Sequence, residues 1–155
     1  MDQQASRLLY EIEDVGDVVL GAGKAAGIAG RCSVFAKSDM IHAQQKGYEP
    51  PEVLRGLCDA VVRKFKGTIT KGKLIEPPVA FIGGVAANKG VVRALREAFG
   101  FDDGGLLVPE YHFSMGAVGA ALLEADKGKA REGGVVTLDE SRLPAVEFPV
   151  AEPLS

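Results

Sequence analysis

Hydrophobic positions recur with the period of amphipathic α-helices up to about residue 65. Four helices are predicted there, over residues 3–10, 12–23, 34–46 and, from a Pro-Pro start, 50–65. A glycine-containing loop, residues 27–31, separates the second helix from the third. The fourth helix has the longest apolar stripe, which consists of Leu54, Leu57, Cys58, Val61, Val62 and Phe65.

The third helix is expected to end at Gly47, because helices commonly end in a residue with a left-handed backbone conformation, which glycine adopts readily. It offers four hydrophobic side chains for burial: Val34, Phe35, Met40 and Ile41. A basic connection, which contains Lys71 and Lys73, then leads to a region with a different pattern.

Short apolar runs replace the helical spacing after residue 77. Residues 79–82 are four apolar residues between a Pro pair and a Gly pair, which predicts a strand buried on both faces. Asn88 is placed to cap a helix over residues 89–99 that ends at Gly100. A second strand over 106–108 and a last helix from Ser114 through residue 124 follow. The fold class is therefore α/β, helix-rich with at least two core strands. Two strands joined by a helix do not make a stable open sheet, so either helices cover them unusually well or further strands lie outside this chain.

Length and charge restrict the classes of partner. A chain of 155 residues can bury one core of ordinary size. Its net charge of −3, with scattered Lys and Arg, gives no basic footprint for nucleic acid or an anionic membrane surface. No apolar run approaches the roughly 20 residues that span a bilayer. We expect a cytoplasmic protein with neither nucleic acid nor membrane as partner.

The glycine pair Gly83 and Gly84 is the first candidate site. In an open α/β sheet, ligands bind beyond the carboxyl ends of the strands, which is where this pair falls. Residues without Cβ atoms let a nucleotide approach the backbone, and the next helix directs its positive end there. The alternative is a plain tight turn between strand and helix.

Further residues support the nucleotide interpretation. The pair continues into Val85, two alanines and Asn88, and a second strand–turn–helix unit follows. This pattern resembles the C-terminal half of the actin/Hsp70/sugar-kinase ATPase superfamily, where a G-G-V/A-x-x-N segment closes over the adenosine. The resemblance implies a partial actin-like lobe of the ribonuclease H-like, Hsp70 type.

The segment GRCSVFAKSDMIHAQQKG, residues 30–47, gives a narrower resemblance. Together with GGVAANKG, residues 83–90, it is similar to the BadF/BadG/BcrA/BcrD ATPase family, whose members activate 2-hydroxyacyl-CoA dehydratases and benzoyl-CoA reductases. The sequence from Lys37 to Gly47 is more similar to the long activase-related members of the family than to the short ones.

This family resemblance implies a site, cofactors and partners. Gly83, Gly84, Val85 and Asn88 would line ATP or ADP, which binds with magnesium. Cys32 would be the second of two cysteines by which each subunit of a homodimer holds one shared [4Fe–4S] cluster. ATP binding and hydrolysis would change the angle between interface helices, so that the electron passes to a CoA-thioester dehydratase or reductase.

Other features of the family lie outside this sequence. The family's C-A-A-G-T-G-like segment, which carries the first cluster cysteine, and its earlier D-x-G phosphate motifs would precede the helix predicted over residues 3–10 and are absent from this sequence. We therefore expect residues 1–126 to be the C-terminal portion of an ATPase domain that is truncated at its N-terminus, with 127–155 as a linker or tail. Such a chain alone is expected neither to complete the cluster nor to hydrolyse ATP, so we predict no catalytic residue.

Several alternatives remain open from the residues. Cys32 starts a helix, where the dipole favours a thiolate, but it is equally placed for a small buried residue. Cys58 lies in the apolar stripe and is expected in the core. Asp39 and His42 share a helix face but make no metal site, so an exposed or interface role is favoured.

Two other functions are also compatible with the sequence. The G-G-V-A-A-N wording occurs in tRNA threonylcarbamoyl-transfer proteins of the same superfamily, which need an H-x-x-x-H motif. The only histidines, His42 and His112, are 70 positions apart. A degenerate lobe used for docking or dimerisation is the non-enzymatic alternative.

Overall fold

A computed structural model describes residues 1–30, 32–71 and 73–126 of the chain. The chain divides into two compact units, Met1–Ala120 and Ala121–Ser155. The features below belong to the first unit, except that the last six residues of α6 belong to the second. The helices are α1 (Asp2–Ser6), α2 (Val15–Leu20), α3 (Ser33–Gln45), α4 (Pro50–Phe65), α5 (Lys89–Phe99) and α6 (Met115–Asp126). The strands are β1 (Val79–Ala80) and β2 (Leu106–Leu107), and short π and 3₁₀ turns span Lys66–Thr70 and Gly84–Ala87.

Helices α2, α4 and α5 form the centre of the core, because each packs against the other two. Val15 and Val19 of α2 and Leu54 of α4 are completely buried between them. The predicted stripe of α4 is confirmed for Leu54, Leu57, Cys58 and Val62, whereas Val61 and Phe65 at its edge stay more than a third exposed.

The predicted start of α4 and both predicted ends of α5 are confirmed by their caps. Glu49 and Glu52 form a capping box at the start of α4, with Pro50 in the first turn. The Asn88 side chain accepts a hydrogen bond of 3.1 Å from the Val91 N–H at the start of α5. Gly100 ends α5 in the left-handed conformation, as Gly47 does after α3.

The two strands are parallel and pair Val79 with Leu106 and Ala80 with Leu107. Side chains alternate across a strand, so Val79 shares a face with Leu106, and this face packs on the core. The opposite face carries Ala80 and Ile82, and both are exposed, Ile82 by 47%.

The prediction that residues 79–82 are buried on both faces is therefore wrong. Helices pack against only one side of the sheet in the described part of the first unit, so residues of the opposite register stay open to solvent. An apolar run of four residues has no polar position that would reveal this one-sided burial.

Three helix predictions also need correction. Helix α2 spans Val15–Leu20 rather than residues 12–23. Helix α1 ends at Ser6 rather than at residue 10, and Leu9 has a positive φ of 64°. In α3 the buried residues are Ala36, Met40 and Ala43, at helical i, i+4, i+7 spacing. Of the four side chains expected there only Met40 is buried, and Val34, Phe35 and Ile41 are 69%, 56% and 46% exposed.

The last helix follows Ser114 as predicted. The tail from residue 127, with a strand expected near 135–138, lies outside the described residues. Within the described residues no helix has both the length and the apolar character needed to cross a membrane.

Candidate functional site

The glycine pair lies at the carboxyl end of β1, where the chain needs an unusual backbone. Gly83 has φ 95° and ψ 178°, a region that residues with a Cβ atom avoid. Its N–H donates a 2.8 Å hydrogen bond to the His112 carbonyl, and His112 Nδ1 lies 3.1 Å from the Gly83 carbonyl oxygen. The loop after β1 is thus tied to the loop after β2.

A cleft of about 400 Å³ lies beside these two hydrogen-bonded loops. The structure brings three predicted residues, Gly84, Val85 and Asn88, to its wall, whereas Gly83 does not line it. Their contact with a nucleotide stays a prediction. The other residues of the wall are Met1, Asp2, Ile12, Glu13, Ala87 and Phe113.

Phe113 is the aromatic side chain of this wall, and the sequence left its role open. It lies after β2, the strand that pairs with β1, and neighbouring parallel strands end at the same edge of a sheet. That rule was the available signal for Phe113. Ile12 and Glu13 precede α2 and had no comparable signal.

Part of the cleft wall is electrostatically unfavourable for phosphate. Asp2 and Glu13 contribute carboxylates, which repel phosphate oxygens. A 3₁₀ turn at Gly84–Ala87 lies between Gly83 and α5, and the Asn88 side chain already accepts a hydrogen bond from the Val91 N–H at the α5 N-terminus. The apolar part of the wall, with Val85, Ile12 and Phe113, suits a flat ring instead.

Cys32 occupies the N-cap position of α3 with extended backbone, φ −158° and ψ 168°. Its side chain is exposed, so the alternative of a small buried cysteine is wrong. A cleft of about 280 Å³ beside it is lined by Met1, Gln4, Gly30, Ser33, Ala36, Leu57, Ala60, Val61 and Lys64.

The second cysteine, Cys58, has the opposite environment. It is fully buried, as the stripe of α4 predicts, and burial raises its pKa to about 11. The neighbouring Arg93 guanidinium opposes this rise without cancelling it. Of the two thiols only Cys32 is accessible to a metal or a reagent.

Asp39 has a role that sequence reasoning missed. One of its carboxylate oxygens, Oδ2, accepts a 2.7 Å hydrogen bond from the Ala29 N–H, in the loop before Cys32. His42, the other half of the predicted pair, is exposed on α3. No group of three or more His, Cys, Asp or Glu side chains suited to a metal ion occurs among the described residues.

Comparison with protein families adds the decisive observation. Residues 2–124 match the sequence pattern of the BadF/BadG/BcrA/BcrD ATPase family. The chain belongs to this family. The resemblance inferred from residues 30–47 and 83–90 is confirmed.

Characterised members of the family are similar over most of this chain. The activator of lactoyl-CoA dehydratase from Anaerotignum propionicum is 32% identical over 79% of this chain and 46% of its own length. The (R)-2-hydroxyglutaryl-CoA dehydratase activating ATPase from Acidaminococcus fermentans is 30% identical over 79% of this chain and 45% of its own length.

Two solved family structures share the fold. The activator of the 2-hydroxyisocaproyl-CoA dehydratase from Clostridium difficile, solved with bound ADPNP, has a TM-score of 0.73 at 24% identity, over 88% of this chain and 50% of its own. Component A of the A. fermentans dehydratase has a TM-score of 0.73 at 28% identity, over 83% and 48%. The predicted actin-like ATPase lobe is confirmed, and the chain spans about half the length of these relatives.

Proposed function

We propose that this chain is the nucleotide-binding and iron–sulfur-bearing part of an ATP-dependent electron-transfer activator. Its target would be an enzyme of the 2-hydroxyacyl-CoA dehydratase or benzoyl-CoA reductase type, in the cytoplasm. The observation that supports this most is the exposed Cys32 thiol at the start of α3, in a chain whose relatives are dehydratase activators.

The adenosine part of ATP or ADP would lie in the cleft at Gly84, Val85 and Asn88, with Gly83 holding the shape of the loop. Phe113 offers an aromatic ring for stacking against adenine. Gly84 lies beside this ring, since a Cβ atom built on Gly84 would be 3.6 Å from Phe113 Cε1. The carboxylates of Asp2 and Glu13 are acceptors for ribose hydroxyls. Phosphates and magnesium would then be directed away from these carboxylates.

The iron–sulfur part of the proposal rests on Cys32. An Fe–S cluster takes four ligands, usually thiolates, and carries single electrons. One accessible thiol among the described residues fits a cluster whose other ligands come from elsewhere, including a second copy of the protein. Val34 and Phe35 beside Cys32 expose large apolar surfaces, which pairing of two subunits would remove from water.

Nucleotide binding is tested on the chain itself with a fluorescent ADP analogue. Phe113→Ala is expected to weaken binding about 5- to 160-fold, the factor for loss of one stacking contact of about 1–3 kcal/mol. Tyr111→Ala is the matched control, because Tyr111 is an exposed aromatic two residues away that does not line the cleft. Equal affinities of the two variants would contradict the adenosine site.

The ligand role of Cys32 is tested in protein expressed from the full reading frame and purified without oxygen. Cys32→Ala is expected to lose the iron and the visible absorption of the cluster. Cys58→Ala should keep both, because Cys58 is buried in the core. Iron retained by Cys32→Ala would overturn the assignment.

A further inference from the structure

The loop before Cys32 is fixed against α4 by its backbone. The Arg63 guanidinium donates a 2.6 Å hydrogen bond to the Ile28 carbonyl, and the Ile28 side chain is almost completely buried. At Gly30 a Cβ atom would lie only 2.6 Å from the Ala60 carbonyl oxygen of α4. Only glycine permits this approach, so the loop lies directly on the helix backbone.

Helix α3 holds the same loop from the other end. The Asp39 carboxylate, in the second turn of α3, accepts the 2.7 Å hydrogen bond from the Ala29 N–H. Arg63 and Asp39 therefore bind adjacent residues, Ile28 and Ala29, from two different helices. Both bonds join a charged side chain to the backbone, the stronger class of hydrogen bond.

We propose that Asp39 and Arg63 are positioning residues that set the place of the Cys32 thiol. They fix residues 28–29, which precede α3 and its N-cap residue Cys32 in the chain. The inference rests on the proposed function in one respect, since it takes Cys32 as the metal ligand. A ligand to a centre shared by two subunits must be presented in the same place in both, within about 0.5 Å.

The first test is hydrogen exchange of the Ala29 N–H in the full chain at constant pH. Asp39→Ala is expected to accelerate this exchange roughly 10- to 100-fold, the factor for loss of a hydrogen bond to a charged acceptor. Asp39→Asn keeps a side-chain oxygen at this position and should restore most of the protection. Ser38→Ala is the matched control, because the Ser38 hydroxyl bonds the Val34 carbonyl within α3.

The second test follows the thiol itself with a nitroxide label. Only Cys32 should react, because Cys58 is buried, and mass spectrometry verifies one label per chain. The wild-type electron paramagnetic resonance spectrum should show restricted motion. Asp39→Ala and Arg63→Met should each add a mobile component that Ser38→Ala and Asp39→Asn lack.

The outcomes separate the two proposals. The positioning role is overturned if Asp39→Ala, folded by circular dichroism, keeps wild-type exchange at Ala29, or if folded Asp39→Ala and Arg63→Met both keep a wild-type label spectrum. If Asp39→Ala does not fold, the label spectrum of Arg63→Met decides. Neither measurement contains iron, so the positioning role stands or falls independently of iron loss in Cys32→Ala.

Discussion

Gly83→Ala tests whether the loop after β1 needs a glycine for its conformation. A Cβ atom at Gly83 meets no atom within 4 Å, so crowding does not contribute to the effect. The backbone does, because φ 95° with ψ 178° is a region that is essentially restricted to glycine. Holding another residue there costs about 1–3 kcal/mol.

The cost should appear as lost stability or as a changed loop. For a chain of this size 1 kcal/mol corresponds to a shift in Tm of about 2–4 °C. We expect a lower Tm, or a loop that leaves this conformation and breaks the hydrogen bond from Gly83 N–H to the His112 carbonyl. Thermal unfolding measures the loss of stability, and hydrogen exchange of the backbone N–H at position 83 measures the change in the loop.

Gly67→Ala provides the matched control. Gly67 also has open space at its Cβ position, but its φ is in the ordinary range. Alanine there should be neutral or stabilise by up to about 1 kcal/mol, because it restricts the unfolded chain. Equal Tm values and equal protection from exchange of the N–H at position 83 in the two variants would refute the argument from backbone conformation.

Three further predictions concern the core. Burial raises the pKa of Cys58 from 9.0 to about 11, so the free energy of unfolding should fall by about 3 kcal/mol as pH rises between these values. Urea unfolding at a series of pH values measures this fall. The prediction is contradicted if the unfolding free energy of Cys58→Ala falls with pH as steeply as that of the wild type. Asp59→Ala removes the 2.6 Å ion pair with Arg93 between α4 and α5, while Arg93 keeps its ion pair with Glu97. We expect the free energy of unfolding in urea to fall by about 1–3 kcal/mol. An unchanged value would mean that the Asp59–Arg93 pair is energetically neutral. Leu54→Ala, at a fully buried site, should cost about 2–5 kcal/mol by the same measurement, and a cost below 1 kcal/mol would place Leu54 outside the core.

The helices were predictable where several local signals coincide. Helix α5 has a capping Asn88, an apolar stripe and a terminal Gly100, and its predicted bounds agree with the structure. Helix α1 has no side-chain cap and ends early. In α3 the apolar residues do not share one face, so the sequence did not reveal which of them are buried.

The candidate site was predictable only where it depends on residue type. Gly83 and Cys32 have backbones and positions that their sequence context indicates, a glycine pair after a strand and a cysteine before a helix. Phe113 and Asp39 depend on contacts between distant segments. The partner of Asp39 is the backbone N–H of residue 29, a group that every residue except proline carries, so no sequence pattern marks it.

Helix α4 connects the two parts of the proposed site. Its Ala60 and Arg63 hold the loop before Cys32, and its Asp59 pairs with Arg93 of α5, the helix that begins after the glycine loop. Asp59 and Ala60 are consecutive residues, so a displacement of α5 that moves Asp59 also moves the surface on which Gly30 rests. Because packed helices shift as units, a change at the glycine loop that displaces α5 should also displace the Cys32 thiol. The spectrum of the nitroxide at Cys32 should therefore also respond to a change in the glycine loop. Gly83→Ala is expected to alter this spectrum, and an unchanged spectrum would contradict transmission through α4.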